Sequence, residues 1–217
     1  MGEGTGAAGH AVRSAEAGRA VEASWDDGGT ATYDAWADGY ERDLFAAGYR
    51  LPAMLAATIA RHVEPGEGTV LDAGCGTGAV AEPLAMLGYR LVGIDLSPRM
   101  LACAREKGIY EALHEVAVDA RIGVSGGPFA AAMAGGVLTP GHAPPEGMDG
   151  LIGAVRPGGI VAIMLRDDEA MDPAYAARMA ALEASGRWAR LMRSEPFAGM
   201  PYGQPEIMHR VHVLRVA

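Results

Sequence analysis

One stretch decides the fold of this chain: Val70-Leu71-Asp72-Ala73-Gly74-Cys75-Gly76-Thr77-Gly78. It runs an apolar segment directly into a loop that has glycines at alternate positions. Glycine adopts a positive φ without strain and has no Cβ to hold a ligand away from the backbone. The helix that follows such a loop also offers unpaired N–H groups. The pattern therefore predicts a buried strand, a ligand-binding loop and a helix in succession.

A second apolar segment ends in an acid: Arg90-Leu91-Val92-Gly93-Ile94-Asp95. Asp95 stands 17 residues after Gly78, a separation that suits a βαβ unit. A carboxylate at the end of the second strand lies beside the first loop, where it can accept hydrogen bonds from both hydroxyls of an adenosine ribose. NAD sites and adenosylmethionine sites both bind the ribose in this way. Dinucleotide sites, however, use Gly-x-Gly-x-x-Gly, whereas this chain has glycines at alternate positions.

The two segments together resemble the class I S-adenosylmethionine-dependent methyltransferases, whose first motif is an acid followed by x-Gly-x-Gly-x-Gly. The chain matches that motif in full, and the likeness continues through Gly93-Ile94-Asp95-Leu96-Ser97-Pro98-Arg99-Met100-Leu101. In many small methyltransferases the acid of this stretch binds the ribose and the residues after it flank the adenine. The resemblance therefore implies S-adenosylmethionine as the cofactor and methyl transfer as the activity.

A narrower likeness, from about Tyr33 to the C-terminus, is to the Williams-Beuren syndrome chromosome-region methyltransferase-like proteins. It lies in Tyr33-Asp34-Ala35-Trp36-Ala37, Tyr40, Gly48-Tyr49, Pro52, Lys107-Gly108-Ile109-Tyr110 and Gly136-Val137-Leu138-Thr139-Pro140-Gly141-His142. Two positions depart from that pattern: Ala130 stands where related proteins usually have an acid, and Pro140 where another residue is expected before Gly-His. This likeness names a branch of the family and leaves the methyl acceptor open.

The chain is expected to form an α/β fold: a Rossmann-like, seven-stranded, mostly parallel sheet with helices on both faces and an antiparallel last strand. Short apolar segments alternate along the chain with segments whose apolar residues have helical spacing. This alternation is typical of a parallel sheet that has helices packed on both faces. The strands are predicted at residues 69–72, 90–95, 115–119, 129–134, 159–165, 188–192 and 209–216. Helices are predicted around residues 80–87, from Ser97 to Gly108, and at 146–155 and 173–185.

A single domain is expected over residues 31–217, because 217 residues with a 50% hydrophobic content can bury one sizeable core. Helices at 31–63 are predicted to form a lid over a sheet core at 69–217. Residues 1–30 have few large apolar groups and are predicted to be a mobile tail or, at most, to contain a docked helix around residues 12–23.

The net charge of the chain indicates which class of substrate or partner is expected. There are 27 acidic and 18 basic residues, so the net charge is −9 and the basic surface of a nucleic-acid-binding protein is not expected. A small-molecule acceptor is favoured. Two cysteines make no disulfide framework, and neither a span of roughly 18 apolar residues nor a signal core is visible, so a cytoplasmic location is expected. The oligomeric state stays open.

The cofactor is expected to contact residues from both motifs and from later strand ends. Asp95 is predicted to bind the ribose, and Asp72 to order the glycine loop or reach the cofactor's ammonium group through water. By the resemblance, Asp119 meets the adenine amino group. The predicted set is Tyr33, Tyr40, Asp72, Gly74, Cys75, Gly76, Thr77, Gly78, Asp95, Leu96, Met100, Asp119, Ala120, Ala134 and Gly135.

His142 is the candidate catalytic residue, because it follows the fourth strand on the edge facing the methyl group and titrates near neutral pH. The alternative is a histidine that only packs its loop. Tyr33 and Tyr40 either close over the cofactor or are core aromatics of the N-terminal helices. Ser97 is predicted to cap a helix. No metal is expected, because four other histidines have no partners at ligand spacing: His62, His114, His209 and His212.

The favoured function is methyl transfer from adenosylmethionine to a small molecule, with an O, N or C acceptor atom left open. The donor is already activated, so alignment of the acceptor supplies much of the rate, and no catalytic triad is required. Two alternatives remain at this point. One is a non-catalytic protein that binds adenosylmethionine as a sensor or partner subunit. The other is an NAD(P)-dependent oxidoreductase, which the glycine spacing and the lack of a Tyr-x-x-x-Lys pair disfavour.

Overall fold

The computed structural model of the chain describes residues 29–169 and 171–217. Most of the predicted N-terminal tail, with its helix around residues 12–23, lies outside the described residues. The strands are β1 (Thr69–Ala73), β2 (Arg90–Asp95), β3 (Ala112–Glu115), β4 (Phe129–Gly135), β5 (Val155–Arg166), β6 (Trp188–Arg193), β7 (Phe197–Met200) and β8 (Gln204–Val216).

These strands form one sheet in the order β3-β2-β1-β4-β5-β8-β6, and β7 pairs with β8 off this path. The strands from β1 to β5 pair in parallel. The last strand, β8, inserts between β5 and β6 and is antiparallel to both. The mostly parallel α/β sheet with an antiparallel last strand is confirmed. The short hairpin strand β7 is an addition to the seven strands expected from the sequence.

The third strand lies earlier in the chain than predicted. It was expected at residues 115–119, but β3 ends at Glu115, level with Asp95 at the end of β2. The apolar run Val116-Ala117-Val118 continues past this edge of the sheet, where it packs and lines a cavity. An apolar run of three residues suits a strand or a buried loop equally well, so the sequence misplaced this boundary. β5 and β8 also begin four and five residues earlier than expected.

Seven helices surround the sheet in the described part of the chain. They are α1 (Thr30–Trp36), α2 (Tyr40–Ala46), α3 (Leu51–His62), α4 (Glu82–Met86), α5 (Pro98–Glu106), α6 (Gly147–Ala154) and α7 (Pro173–Ala184). Ser97 caps α5 as predicted, since its Oγ accepts the Met100 N–H at 3.0 Å. Helix α4 is shorter than the apolar periodicity suggested, because the glycine loop continues through residues 79–81.

Two apolar clusters cover the two faces of the sheet. Strand β4 shows the division, because Ala132 and Ala134 belong to one cluster and Ala131 and Met133 to the other. Side chains of a strand alternate between faces, and both faces here are buried under helices. The carboxyl ends of β1, β2 and β4 are thereby held at one edge of the sheet. In the part of the chain that the structure describes, no helix combines the length and apolarity needed to cross a bilayer.

Candidate active site

A cavity of about 180 Å³ lies at the carboxyl ends of β1, β2 and β4, under the first two helices. This edge is where open α/β sheets bind their ligands. The cavity brings together ten of the residues singled out from the sequence: Tyr33, Tyr40, Gly74, Gly76, Asp95, Leu96, Met100, Asp119, Gly135 and His142.

The glycine loop is shaped by positive φ angles, +71° at Gly74 and +53° at Gly76. A Cβ on Gly74 would lie 2.5 Å from Cγ2 of Val137, so a larger residue cannot pack there. A Cβ on Gly76 would meet no atom of the described chain within 4 Å, because that side of the loop faces the cavity. The first glycine thus serves packing, and the second leaves space for a ligand against the backbone.

Asp95 is held at the cavity by main-chain donors. The Gly76 N–H donates to its Oδ2 and the Ser97 N–H to its Oδ1, both at 2.8 Å. Burial raises the pKa of the Asp95 carboxyl, and these N–H groups oppose that rise by stabilising the charged form. Each oxygen retains acceptor capacity, so the fixed carboxylate is suited to two neighbouring hydroxyls.

Asp72 is oriented differently from Asp95. The residue is 1% exposed, and its carboxylate accepts a hydrogen bond from the Tyr110 hydroxyl at 2.7 Å. Burial raises the pKa of Asp72 to about 7, against the opposing effect of that hydrogen bond. The carboxyl therefore points into the protein toward Tyr110 rather than along the cavity.

Six predicted cofactor residues do not line this cavity: Asp72, Cys75, Thr77, Gly78, Ala120 and Ala134. Ala134 packs in the apolar cluster that covers one face of the sheet. The Cys75 thiol lies against Gly93, where an added Cβ would meet the sulfur at 2.9 Å. Contacts of these six residues with the cofactor stay predictions, and for the side chains of Ala134 and Cys75 the geometry is unfavourable.

Several lining residues were not predicted as cofactor-binding or catalytic residues. They are Thr30, Ser97, Val116, Ala117, Val118, Gly136, Val137, Ala143 and Pro144. Most belong to loops that follow β2, β3 and β4, and such loops carry no periodic pattern. The Gly135-Gly136 pair at the end of β4 is the signal that could have extended the set, because adjacent glycines beside a strand end permit close approach of a ligand.

The first two helices are tied to the loops around the cavity. Asp34 accepts the Ser97 hydroxyl at 2.5 Å, and Glu41 accepts the Thr77 hydroxyl at 2.5 Å. Lys107 also pairs with Glu41 at 2.7 Å. These contacts join residues that are at least 36 positions apart in the chain. Sequence periodicity contained no sign of them, because no local pattern links polar residues that are so far apart in the chain.

His142 and Tyr33 meet at the cavity, with 2.7 Å between the Tyr33 hydroxyl and His142 Nε2. The other ring nitrogen, Nδ1, is 3.3 Å from the Pro140 carbonyl oxygen, which can only accept. This assigns the proton to Nδ1, so Nε2 accepts from Tyr33. Burial lowers the pKa of His142, with weaker opposing effects of the Pro140 carbonyl and Asp95. The imidazole is consequently neutral and presents a base toward the phenol.

A second, smaller cavity of about 60 Å³ adjoins the first. Four residues line both cavities: Tyr33, Tyr40, Gly136 and His142. The smaller space extends toward α2, α3, the end of β5 and the middle of β8. Among the described residues, no group of three or more histidine, cysteine or acidic side chains is placed to hold a metal ion.

Comparisons with known proteins agree with this geometry. A family model described as a methyltransferase domain matches residues 70–159. Human methyltransferase-like protein 27 is 30% identical over 167 residues, which cover 74% of this chain and 68% of that protein. A ubiquinone biosynthesis O-methyltransferase of Methylocella silvestris is 45% identical over 67 residues, 30% of this chain and 25% of that protein. The structure of a magnesium protoporphyrin IX methyltransferase from Synechocystis PCC 6803 with bound SAM has a TM-score of 0.60 at 17% identity, covering 79% of this chain and 80% of that one.

The larger cavity fits S-adenosylmethionine by its chemistry. A fixed carboxylate, Asp95, faces the space beside a loop whose Gly76 leaves the backbone open to a ligand. Leu96 and Met100 supply apolar surface for a base. The family relation favours methyl transfer over the oxidoreductase alternative and over binding without turnover. The chain belongs to the class I S-adenosylmethionine-dependent methyltransferases, and S-adenosylmethionine is its cofactor.

Proposed function

We propose that this methyltransferase acts on a small molecule, which it holds in the second cavity. The observation that carries the proposal is that the two cavities share Tyr33, Tyr40, Gly136 and His142. A cofactor in the larger space and an acceptor in the smaller one would meet at these residues. S-adenosylmethionine supplies a methyl group on a sulfonium, so the protein's main task is to align the acceptor with it and exclude water.

On the cofactor side, Asp95 accepts the ribose hydroxyls, and Leu96 and Met100 pack on the adenine. Asp119 lies at the cavity rim, where its Oδ1 also accepts the Arg121 N–H at 2.9 Å. The Gly135-Gly136 pair leaves room for the methionine portion. The helices at 31–63 act as the lid, because ties such as Asp34 to Ser97 hold α1 against the loop after β2.

On the acceptor side, His142 serves as general base. Its neutral imidazole and its Nε2 acceptor are suited to taking the proton of an O–H or N–H nucleophile as methyl transfer proceeds. The Tyr33 hydroxyl already donates a hydrogen bond to that nitrogen. It therefore either relays the proton from the acceptor or is displaced when the acceptor binds. The name of the Methylocella relative, an O-methyltransferase, favours an oxygen acceptor.

The size and charge of the molecule favour a small acceptor over a nucleic acid. Helices α1 and α2 form part of the lining of the second cavity, and a polymer would have to fit beside them. The net charge of −9 works against a polyanionic substrate.

The assignment is tested by calorimetric titration of two variants with adenosylmethionine and adenosylhomocysteine, with NAD as the control titrant. Asp95→Asn lowers the affinity for both adenosyl compounds by at least about 10-fold, because a charge-assisted hydrogen bond to ribose contributes about 1.5–3 kcal/mol. His142→Gln keeps that affinity within about threefold, since His142 makes none of the contacts proposed for the ribose, the adenine or the methionine portion. Equal losses in the two variants, or NAD binding by the parent protein, would contradict these roles.

A further inference from the structure

Aromatic rings form one wall of the second cavity. Trp36 and Tyr40 lie edge to face at 4.8 Å between ring centroids, and Tyr33 and Tyr40 at 6.3 Å. Trp36 is held in place because its Nε1–H donates to Asp43 at 2.8 Å. A fixed set of tilted rings offers both faces and edges to a flat apolar group. The shape of this wall therefore favours a planar, aromatic ligand.

The space also limits the ligand to a single ring. A cavity of about 150 Å³ is known to hold one benzene molecule. The second cavity, at about 60 Å³, is smaller than that, and it shares Tyr33 and His142 with the first cavity, so a ring bound at this junction would extend into both spaces. The edge of the ring that protrudes there would carry the reacting atom. A fused ring system would need still more space than this cavity provides.

The lining of the second cavity selects against a charged ligand. No carboxylate lines this space in the described part of the chain, so an ammonium group would be buried without a counterion. Arg166 is the lining cation, and Asp168 already accepts from its Nε at 3.0 Å and its Nη2 at 2.8 Å. Burial lowers the pKa of His209 to about 4, so this side chain is neutral. A ligand carboxylate would have to compete with Asp168 for Arg166.

A polar group in the lining lacks a partner. Thr139 is 7% exposed, and its hydroxyl makes no hydrogen bond to any residue that the structure describes. A buried hydroxyl left unpaired costs free energy that a bound partner would recover. His209 Nδ1 is unpaired as well, but it lies against Gly199 rather than toward open space. Thr139 is therefore the lining residue whose hydroxyl would gain a partner from a polar substituent of the ligand.

From these observations we propose that the acceptor is an uncharged, single-ring aromatic alcohol that carries a second polar substituent. The proposal rests on the proposed function, small-molecule methyl transfer at the junction of the two cavities. The aryl hydroxyl points to Tyr33 and His142, and the second substituent contacts Thr139. Recognition thus needs no charge on the acceptor.

The chemical step balances with the groups present. A lone pair of the acceptor oxygen forms the bond to the methyl carbon while the carbon–sulfur bond breaks and leaves its electron pair on sulfur. The acceptor proton passes to the Tyr33 oxygen as the Tyr33 proton passes to His142 Nε2, which is 2.7 Å away. The resulting imidazolium releases its proton to solvent. The products are an aryl methyl ether, adenosylhomocysteine and one proton.

The test compares four para-substituted phenols that differ in the second substituent. They are 4-hydroxybenzyl alcohol, 4-methylphenol, tyramine and 4-hydroxybenzoate, titrated into the adenosylhomocysteine complex and assayed for adenosylhomocysteine release with adenosylmethionine. We expect binding and turnover in that order, with about a 5-fold advantage of the alcohol over 4-methylphenol from one hydrogen bond. A preference for tyramine or 4-hydroxybenzoate, or binding of none of the four, overturns the acceptor class.

A matched pair of variants tests the role of Thr139. In Thr139→Val, 4-hydroxybenzyl alcohol and 4-methylphenol should bind and turn over equally well, with a ratio of about 1, because the hydroxyl partner is gone. In the control, Thr58→Val, the advantage is unchanged, since that hydroxyl donates to the Met54 carbonyl within α3 at 2.7 Å. Thermal unfolding of both variants verifies that they are folded. An unchanged advantage in folded Thr139→Val would overturn the contact.

Failure of this inference is distinguishable from failure of the proposed function. Tyramine or 4-hydroxybenzoate as the preferred substrate would leave small-molecule methylation intact and remove only the acceptor class. The proposed function itself fails if labelled methyl groups transfer to the macromolecular fraction of a cell extract and not to its low-molecular-mass fraction.

Discussion

The buried carboxyl of Asp72 makes the stability of this protein depend on pH in a direction unusual for an acid. Burial raises its pKa to about 7, whereas an exposed aspartate titrates near 3.9. The folded state therefore binds this proton more tightly than the unfolded state does. Its stabilising contribution is complete below about pH 4 and is lost as the pH rises through about 7.

The magnitude follows from a shift of about three pKa units. At about 1.36 kcal/mol per unit, ionisation of Asp72 costs the folded state about 4 kcal/mol at pH 8. In Asp72→Asn that cost disappears, while the amide oxygen can still accept the Tyr110 hydroxyl. We expect the variant to match the parent near pH 4 and to be more stable by up to about 4 kcal/mol at pH 8.

The assay is urea unfolding of the cofactor-free protein at pH 5 and pH 8. The quantity to compare is the difference between variant and parent, because burial lowers the pKa values of His209 and His212 to about 4 and gives the opposite slope below pH 6.5. That difference should grow by about 3 kcal/mol between the two pH values. The control is Glu183→Gln, which removes an exposed ion pair with Arg190. For this control, the difference in unfolding free energy between variant and parent should stay near zero at both pH values. A pH-independent difference for Asp72→Asn would refute the reasoning.

Two further predictions concern the loop and the lid. Gly74→Ala should lower stability by about 1–3 kcal/mol, because its φ of +71° and a Cβ contact at 2.5 Å both oppose a side chain. The control is Gly153→Ala in α6, where an added Cβ meets no atom of the described chain within 4 Å, and this variant should raise stability by up to about 1 kcal/mol. Urea unfolding measures both variants. Equal effects on stability would contradict the backbone strain inferred at Gly74. Glu41→Gln should speed release of adenosylhomocysteine about 2- to 5-fold by weakening its pair with Lys107, a partly buried ion pair. Arg42→Gln, which alters an exposed pair next to it, is the control in the same stopped-flow measurement, and an equal effect there would argue against the lid contact.

The cofactor half of the site was predictable because its signals are local. The glycine loop and Asp95 each sit at the end of an apolar strand, and parallel strands place such ends at one edge of the sheet. The third strand was misplaced by three residues because Val116-Ala117-Val118 has the composition of a strand while packing as a loop. The acceptor half was harder to predict, because its lining combines residues of three helices with residues of β5, β7 and β8 that are distant in the chain.

The sequence by itself determined the order of the helices and of seven strands, and its glycine loop carried the resemblance that implied the cofactor, because these signals lie within a few neighbouring residues. Tertiary structure decided which side chains meet. Tyr33 and His142 are 109 residues apart and touch only because α1 folds over the end of β4. Asp72 and Asp95 end adjacent strands, yet one turns inward to Tyr110 and the other faces the cavity. Such differences arise from side-chain direction and packing between distant segments, which no local pattern encodes.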